Sequence, residues 1–484
     1  MEIEKKPSVL KNLIWRFAER IGAQGVKLIV ELVLARILAP EDFGLIAIVT
    51  VFITLLNVFV DSGLGNALIQ KKDADDLDFS SVFWFNIVWC AILYILLFFC
   101  SPLVATFYGK QILSPVLRVL GIQVLISGVK NVQQAYVSKT MQFKKFFFAT
   151  LGGTIGAAVI GILMALYGFG IWALVAQQLF NLTVDTIILW ATVDWRPHFV
   201  FSFTRLKKLI SFGWKLLVSS LIDTLYSELR QLIIGKKYSS SDLAYFNRGE
   251  QFPRFFINNI NTSIDSVLLP TMSEAQDDKQ KVRAMTRKAI KICTYIISPF
   301  MIGLAFIGEP FVKLILGAKW IDCVFFMRVY CITFLFYPMH TANLNAIKAL
   351  GRSDLYLKLE MIKKTIGLVA LLISMNISVN AMAYSMLVVS ILSQLVNTWP
   401  NKKLLDYSYF EQLKDILPSI LLAVVMGGIV YPIVLLQYNS LLTIIVQVLL
   451  GMVIYFIGSM IFHMEGYEYV LNILKSIKNK YLHK

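Results

Sequence analysis

Apolar residues run along this chain in blocks of about twenty or more, each closed by charged residues or by Gly and Pro, and the blocks recur from end to end. Between these punctuation marks the pattern predicts helices near 12–38, 43–69, 82–107, 113–138, 147–167, 170–192, 209–235, 251–272, 288–308, 323–348, 355–376, 379–399, 413–436 and 440–462. At 1.5 Å of rise per residue, roughly twenty residues cross a hydrocarbon layer of about 30 Å. The expected fold class is all-α: a polytopic membrane protein of about 14 transmembrane helices. The opening Met1-Glu2-Ile3-Glu4-Lys5-Lys6-Pro7 leads into an apolar stretch that continues to about Leu38 without a small-residue cleavage site, so the first helix is expected to be retained.

Composition makes lipid the solvent for most of this surface. The chain has 484 residues, 57% of them hydrophobic and only 16% charged, and a single soluble core of that size could not absorb so much apolar area. Cys90, Cys100, Cys293, Cys323 and Cys331 lie mostly inside apolar runs, where inert buried thiols are expected rather than disulfides or a metal site.

Charge then orients the spans. Both termini and every second connection carry the cations, including Lys5, Lys6, Lys71, Lys72, Lys139, Lys145, Arg205, Lys208, Arg283, Arg287, Lys402, Lys403, Lys475 and Lys480. The opposite connections hold chiefly Lys110, Lys236, Lys237, Arg248 and Lys319, an asymmetry of roughly three to one that puts both termini in the cytoplasm. The net charge of +16 is thereby assigned to anionic lipid headgroups, and nucleic acid need not be invoked as a partner.

Sliding the chain against itself by about 200 residues reveals a repeat. Glu31-Leu32-Val33-Leu34-Ala35-Arg36 falls opposite Gln231-Leu232-Ile233-Ile234-Gly235-Lys236, Pro102 opposite Pro310, Arg118 opposite Arg328 and Lys139 opposite Lys348. An offset of six spans keeps the two halves in the same orientation. The expected organisation is two six-helix lobes, 1–195 and 196–402, facing each other across a cavity, with helices 13 and 14 and a basic cytoplasmic tail in 403–484. Such lobes suit alternating access by rocking, and a monomer would suffice for it.

Ionised residues inside the spans point to that cavity. Arg16, Arg20, Lys27 and Glu31 of the first helix fall within a sector of about 60° at 100° per residue. Each would cost roughly 2.5–3.5 kcal/mol near the bilayer centre, so the stripe is expected to face protein or water. Lys215, Asp223 and Arg230 form a similar sector on helix 7, with Glu228 to one side. Arg16, Arg20, Lys27, Lys215 and Arg230 are the candidate substrate-binding cations, suited to an anionic headgroup such as a lipid pyrophosphate or an acidic sugar. The competing reading is that acids such as Glu31 and Asp223 only neutralise these cations and hold the lobes together. Asp61, Asp223 and Glu31, together with Asp185, Asp265 and Glu360, are the acids that could bind a coupling H+ or Na+. No other cofactor, metal site or catalytic residue is indicated.

At Leu34-Ala35-Arg36-Ile37-Leu38-Ala39-Pro40-Glu41-Asp42-Phe43-Gly44 and Asp61-Ser62-Gly63-Leu64-Gly65-Asn66-Ala67-Leu68-Ile69-Gln70 the chain resembles the polysaccharide flippases of the MOP exporter superfamily. Leu269-Pro270-Thr271-Met272-Ser273 and Glu309-Pro310-Phe311 resemble it too, and the likeness runs over essentially the whole length, in particular to exporters of O-antigen, colanic-acid-type or teichuronic-acid-type units. The resemblance implies a fourteen-helix flippase moving an undecaprenyl-pyrophosphate-linked (polyprenyl-linked) oligosaccharide across the bacterial cytoplasmic (inner) membrane, beside membrane lipids and polysaccharide polymerase machinery. A multidrug antiporter would share the lobes, but the excess of Arg and Lys on helix 1 disfavours cationic drugs. A glycosyltransferase could claim Asp73-Ala74-Asp75 as a metal-nucleotide motif, yet that tripeptide sits in a connection of about a dozen residues, too short for a nucleotide-binding domain.

Overall fold

The computed structural model describes the backbone of residues 9–61, 63–436 and 439–482, with side chains described there except at 9–21, 23, 212, 263, 473, 474 and 476–482. Among the described residues the regular structure is helical throughout. The chain divides into two compact units, Met1–Ala244 and Tyr245–Lys484.

The first unit contains α1 (Val9–Ile37), α2 (Pro40–Asp61), α3 (Leu64–Gln70), α4 (Asp76–Tyr108), α5 (Leu113–Leu120), α6 (Ile122–Lys139), α7 (Phe143–Leu166), α8 (Ile171–Thr192) and α9 (Phe203–Lys237). Lobes were expected to part at 195/196. The unit extends one helix further because α9 packs on α2, α3 and α4. α10 (Ser240–Glu274) begins in this unit and carries the boundary. The second unit continues with α11 (Lys279–Phe306), α12 (Gly308–Ile315), α13 (Cys323–Phe334), α14 (Tyr337–Ala349), α15 (Ser353–Ser374), α16 (Val379–Leu405), α17 (Tyr409–Val430), α18 (Ser440–Ile461) and α19 (Glu465–Leu482).

Each of the fourteen expected spans coincides with a helix or a broken helix pair, such as α2 with α3 or α13 with α14. Ten of these are long and apolar enough to cross a membrane, and α9 makes eleven if its two segments, bent by 46° between Ser211 and Gly213, act as one. Of the remaining three, α1 and α15 carry too many ionised groups, among them Asp354, Lys358, Glu360, Lys363 and Lys364 on α15, while α10 is made too polar by neutral residues such as Asn258, Asn259 and Asn261. The chain is thus a multi-pass membrane protein in which length and apolarity do not coincide in every span.

Side chains are arranged as lipid demands. Along α18 the buried positions are Thr443, Gln447, Gly451, Tyr455 and Ser459, one polar or small residue per turn, while Leu441, Leu449, Val453 and Phe456 are exposed. The inward stripe is hydrogen-bonded: Gln447 Nε2 donates to the Val430 carbonyl at 2.9 Å, and the Tyr455 hydroxyl to the Tyr295 carbonyl at 2.8 Å. In the first unit, small residues of α7 let α8 approach. A Cβ on Gly153 would lie 2.8 Å from the Asn181 carbonyl oxygen, and one on Gly156 would lie 2.6 Å from the Phe180 ring.

The connection after α8 is strapped to α4 rather than free. Ser80 and Ser81 hydroxyls accept from His198 N and Ser202 N at 3.0 and 2.9 Å, and Gln133 Nε2 donates to the Trp195 carbonyl at 3.0 Å. Trp195 is buried with Phe79, Phe83 and Tyr136.

The internal repeat reappears as repeated geometry. α1 and α9 end at 37 and 237, and the following helices start at 40 and 240. Ala39 N and Ser239 N donate to Asp42 and Asp242 Oδ2 at 3.3 and 3.1 Å. Arg118 Nε donates to the Phe98 carbonyl, and Arg328 Nε to the Ala305 carbonyl, at 3.3 and 3.1 Å. Lys139 and Lys348 diverge: one donates to the Leu68 carbonyl at 3.1 Å, the other sits 4.7 Å from the Tyr356 ring.

Candidate functional site

Two helices carry the candidate cations. α1 lies along α7. The Arg16 and Arg20 side chains fall outside the described residues. Lys27 is 70% exposed and 3.9 Å from Glu31, one turn away, an i,i+4 pair that ties these two together but leaves the ammonium in the open. α9 turns Leu206, Leu209 and Ile234 inward and leaves Lys215 and Asp223 exposed, with Arg230 half-buried. The capping hydroxyl of Ser202, accepting from Arg205 N, starts α9.

The contact of α2 with α9 and with the first residue of α10 is set by glycine. A Cβ on Gly44 would stand 1.7 Å from the Ser240 carbonyl oxygen, and one on Gly63 would stand 2.7 Å from the Gly213 carbonyl oxygen. Gly235 in turn admits Ile48. Backbones therefore touch near both ends of α2, and only Gly63, at φ 71°, is also required by its own backbone conformation.

The candidate coupling acids are satisfied by partners that sequence reading missed. Asn131 Nδ2 of α6 donates to Asp61 Oδ1 at 2.7 Å, and Asn345 Nδ2 of α14 donates to Asp265 Oδ1 at 2.5 Å. These are equivalent helices of the repeat, so each half holds an exposed Asp on its second helix by an Asn on its fourth. Lys130 of α6 forms an ion pair with Asp185 of α8, with side chains 12% and 13% exposed. Lys363 Nζ meets Glu360 at 2.6 Å on one face of α15. The available signal was Lys130-Asn131, a charged and amide pair in the middle of a span.

Asp75, part of the tripeptide that resembles a metal-nucleotide motif, is instead the N-cap of α4. Its Oδ1 accepts from Asp78 N at 3.1 Å while Asp78 Oδ2 accepts from Asp75 N at 3.2 Å. Arg205 donates to both Asp75 oxygens at 2.6 Å, and this hydrogen bonding, with that from Asp78 N, lowers the carboxyl to about 2.

Residues 33–325, from late α1 into α13, match the family model described as polysaccharide biosynthesis protein. The chain belongs to that family. The family match contains the glycine seam, Asp61, Asn131, the Lys130–Asp185 pair and the cations of α9, while Lys27 and Glu31 precede it. Among curated relatives, this family member is 26% identical over 65% of its length to the succinoglycan biosynthesis transport protein ExoT of Rhizobium meliloti, and the match spans 63% of that protein. It is 24% identical over 77% of its length to the teichuronic acid biosynthesis protein TuaB of Bacillus subtilis, spanning 78% of it. Its fold is that of the lipid II flippase MurJ in an inward closed conformation, with TM-score 0.72 and 16% identity over 94% of this chain and 99% of that one.

Proposed function

We propose that this protein translocates a polyprenyl-pyrophosphate-linked oligosaccharide across a bacterial cytoplasmic membrane by alternating access, supplying a surface polysaccharide pathway. The observation that carries the reading is the exposed cationic face of α9, Lys215 with half-buried Arg230, on a helix that also makes the backbone-close seam with α2. Such a face is stable in a membrane only against water, protein or an anionic ligand. A pyrophosphate offers the multiple oxygens that Arg and Lys recognise. Membership of the polysaccharide biosynthesis family and the transport function named for the Rhizobium relative support it.

In this reading the moving bodies are the lobes 1–195 and 196–402, both termini are cytoplasmic, and a monomer completes the pathway. The α2–α9 seam, although it lies inside one compact unit, is the contact between those two lobes, and in this reading it loosens when the cavity opens. The protein performs no chemical step of its own, and the polymerase machinery takes over its product. Asp61 and Asp265, each held by an Asn amide, are the acids best placed to exchange a coupling H+ or Na+.

The test replaces Arg20 and Lys215 by Ala, singly and together, and compares surface polysaccharide with lipid-linked units on the cytoplasmic face at matched protein abundance. Loss of surface polymer with accumulation of lipid-linked units supports the reading. Collapse of protein abundance makes the cations structural, and unchanged export in a full deletion removes the function.

A further inference from the structure

The first four turns of α11 carry Arg283, Arg287, Lys288 and Lys291. With Glu465 and Tyr469 of α19 they line a cavity of about 320 Å³. Four cations and one carboxylate thus line the cavity itself. The other acids of the cluster are not among the lining residues: Asp415, 6% exposed, accepts from Arg287 Nε and Nη2 at 2.8 Å each and from Lys291 Nζ at 3.1 Å, while Asp406 and Glu411 stand 3.4 and 3.2 Å from Arg283. Lys291 also meets Glu465 at 2.7 Å, and the Lys288 ammonium lies 4.6 Å from the Tyr469 ring.

The cavity wall is built, because α19 is clamped to α11. A Cβ on Gly466 would lie 2.6 Å from the Tyr295 side chain. Depth points to lipid. α18 ends at Ile461, and Ile461 and Phe462, exposed by 66% and 69%, lie immediately before the turn into α19. The basin therefore begins where the apolar surface stops, which is the level of headgroups.

We infer that this basin binds the phosphate of an anionic phospholipid in the adjoining leaflet, with its acyl chains against Ile461 and Phe462. Cationic pockets at the cytoplasmic ends of transmembrane helices recognise such headgroups. The inference rests on the cytoplasmic orientation proposed above, where anionic lipid is concentrated.

The test titrates the purified full chain, in a neutral detergent, with dioleoylphosphatidylglycerol, with dioleoylphosphatidylcholine and with inorganic phosphate, reading bound lipid by native mass spectrometry. Each cation near a headgroup contributes about fivefold in affinity, so R283Q/K288Q is expected to weaken phosphatidylglycerol binding by about 25-fold, towards the phosphatidylcholine value. R283K/K288R keeps the charge and is expected to bind like the native chain, as is K402Q/K403Q, which removes two cations elsewhere. If R283Q/K288Q does not fold, K288Q alone is expected to lose about fivefold. Native-like binding by R283Q/K288Q, or by K288Q where only that variant folds, overturns the inference, as does equal loss in K402Q/K403Q. Displacement of the lipid by inorganic phosphate at equal concentration makes free phosphate the ligand and overturns it too. Transport is never measured here, so failure of the lipid site leaves the export reading standing, and failure of export leaves the lipid site standing.

Discussion

Adding one methyl group at Gly44 loads the seam at the end where α2 meets the first residue of α10, directly after α9. In Gly44→Ala the new Cβ starts 1.7 Å from the Ser240 carbonyl oxygen, with the Ser240 carbonyl carbon at 2.4 Å and its Cα at 2.9 Å. All three are backbone atoms, so no rotamer change relieves the clash. Reaching the 3.4 Å of ordinary contact opens the seam locally by up to 1.7 Å. Overpacking of this kind costs about 1–3 kcal/mol, which here falls on the state closed at that end and not on the open one. A bias of that size shifts the equilibrium about 5- to 150-fold toward the open state. The assay replaces Ser227, exposed on α9 one turn before Arg230, by a single cysteine in a cysteine-free background and follows its labelling by a membrane-impermeant maleimide from outside the cell. Labelling is expected to rise in Gly44→Ala while surface polysaccharide falls. Unchanged labelling and unchanged export in a normally abundant Gly44→Ala protein would refute the seam as a gate.

Other perturbations follow from the same geometry. Lys130→Ala leaves Asp185, 13% exposed, without its ammonium and is expected to cost about 3–5 kcal/mol in thermal unfolding in detergent, most of it recovered by adding Asp185→Leu. Gly156→Val drives a branched side chain into the Phe180 ring and is expected to destabilise the α7–α8 pair by about 1–3 kcal/mol, read as a lower melting temperature. Asp75 has a lowered folded value of about 2, so its contribution is complete above its ordinary 3.8 and is lost as pH falls through about 2. Melting curves from pH 5 to pH 3 should therefore decline less steeply for Arg205→Gln than for the native chain.

Much of this fold was legible because lipid imposes a strict rule: a span needs length and apolarity, and blocks such as 440–462 show both. α10 and α15 were also found, through length and punctuation, although the asparagines of α10 and the charges of α15 keep them from passing as free-standing spans. The repeat was visible in Glu31–Arg36 against Gln231–Lys236 because helix ends and their caps recur at a fixed offset. What escaped was pairing. Nothing in the order of residues says that Asn131 reaches Asp61 or that Lys130 reaches Asp185, because those contacts depend on helix rotation. The burial of Trp195 was equally out of reach, since it depends on the strapping of the connection after α8 to α4 and α6.

The polarity of α1, α10 and α15 bears on how the chain enters a membrane during synthesis. A helix released singly from the translocation channel must partition by its own apolarity, and α15, with Asp354, Lys358, Glu360, Lys363 and Lys364, cannot. It packs along α16, which is apolar enough to insert unaided. α15 must then be held at the channel until α16 has emerged, and the two enter as a hairpin. Shortening their connection at Asn376-Ile377-Ser378 would disturb insertion order before it disturbed any folded contact.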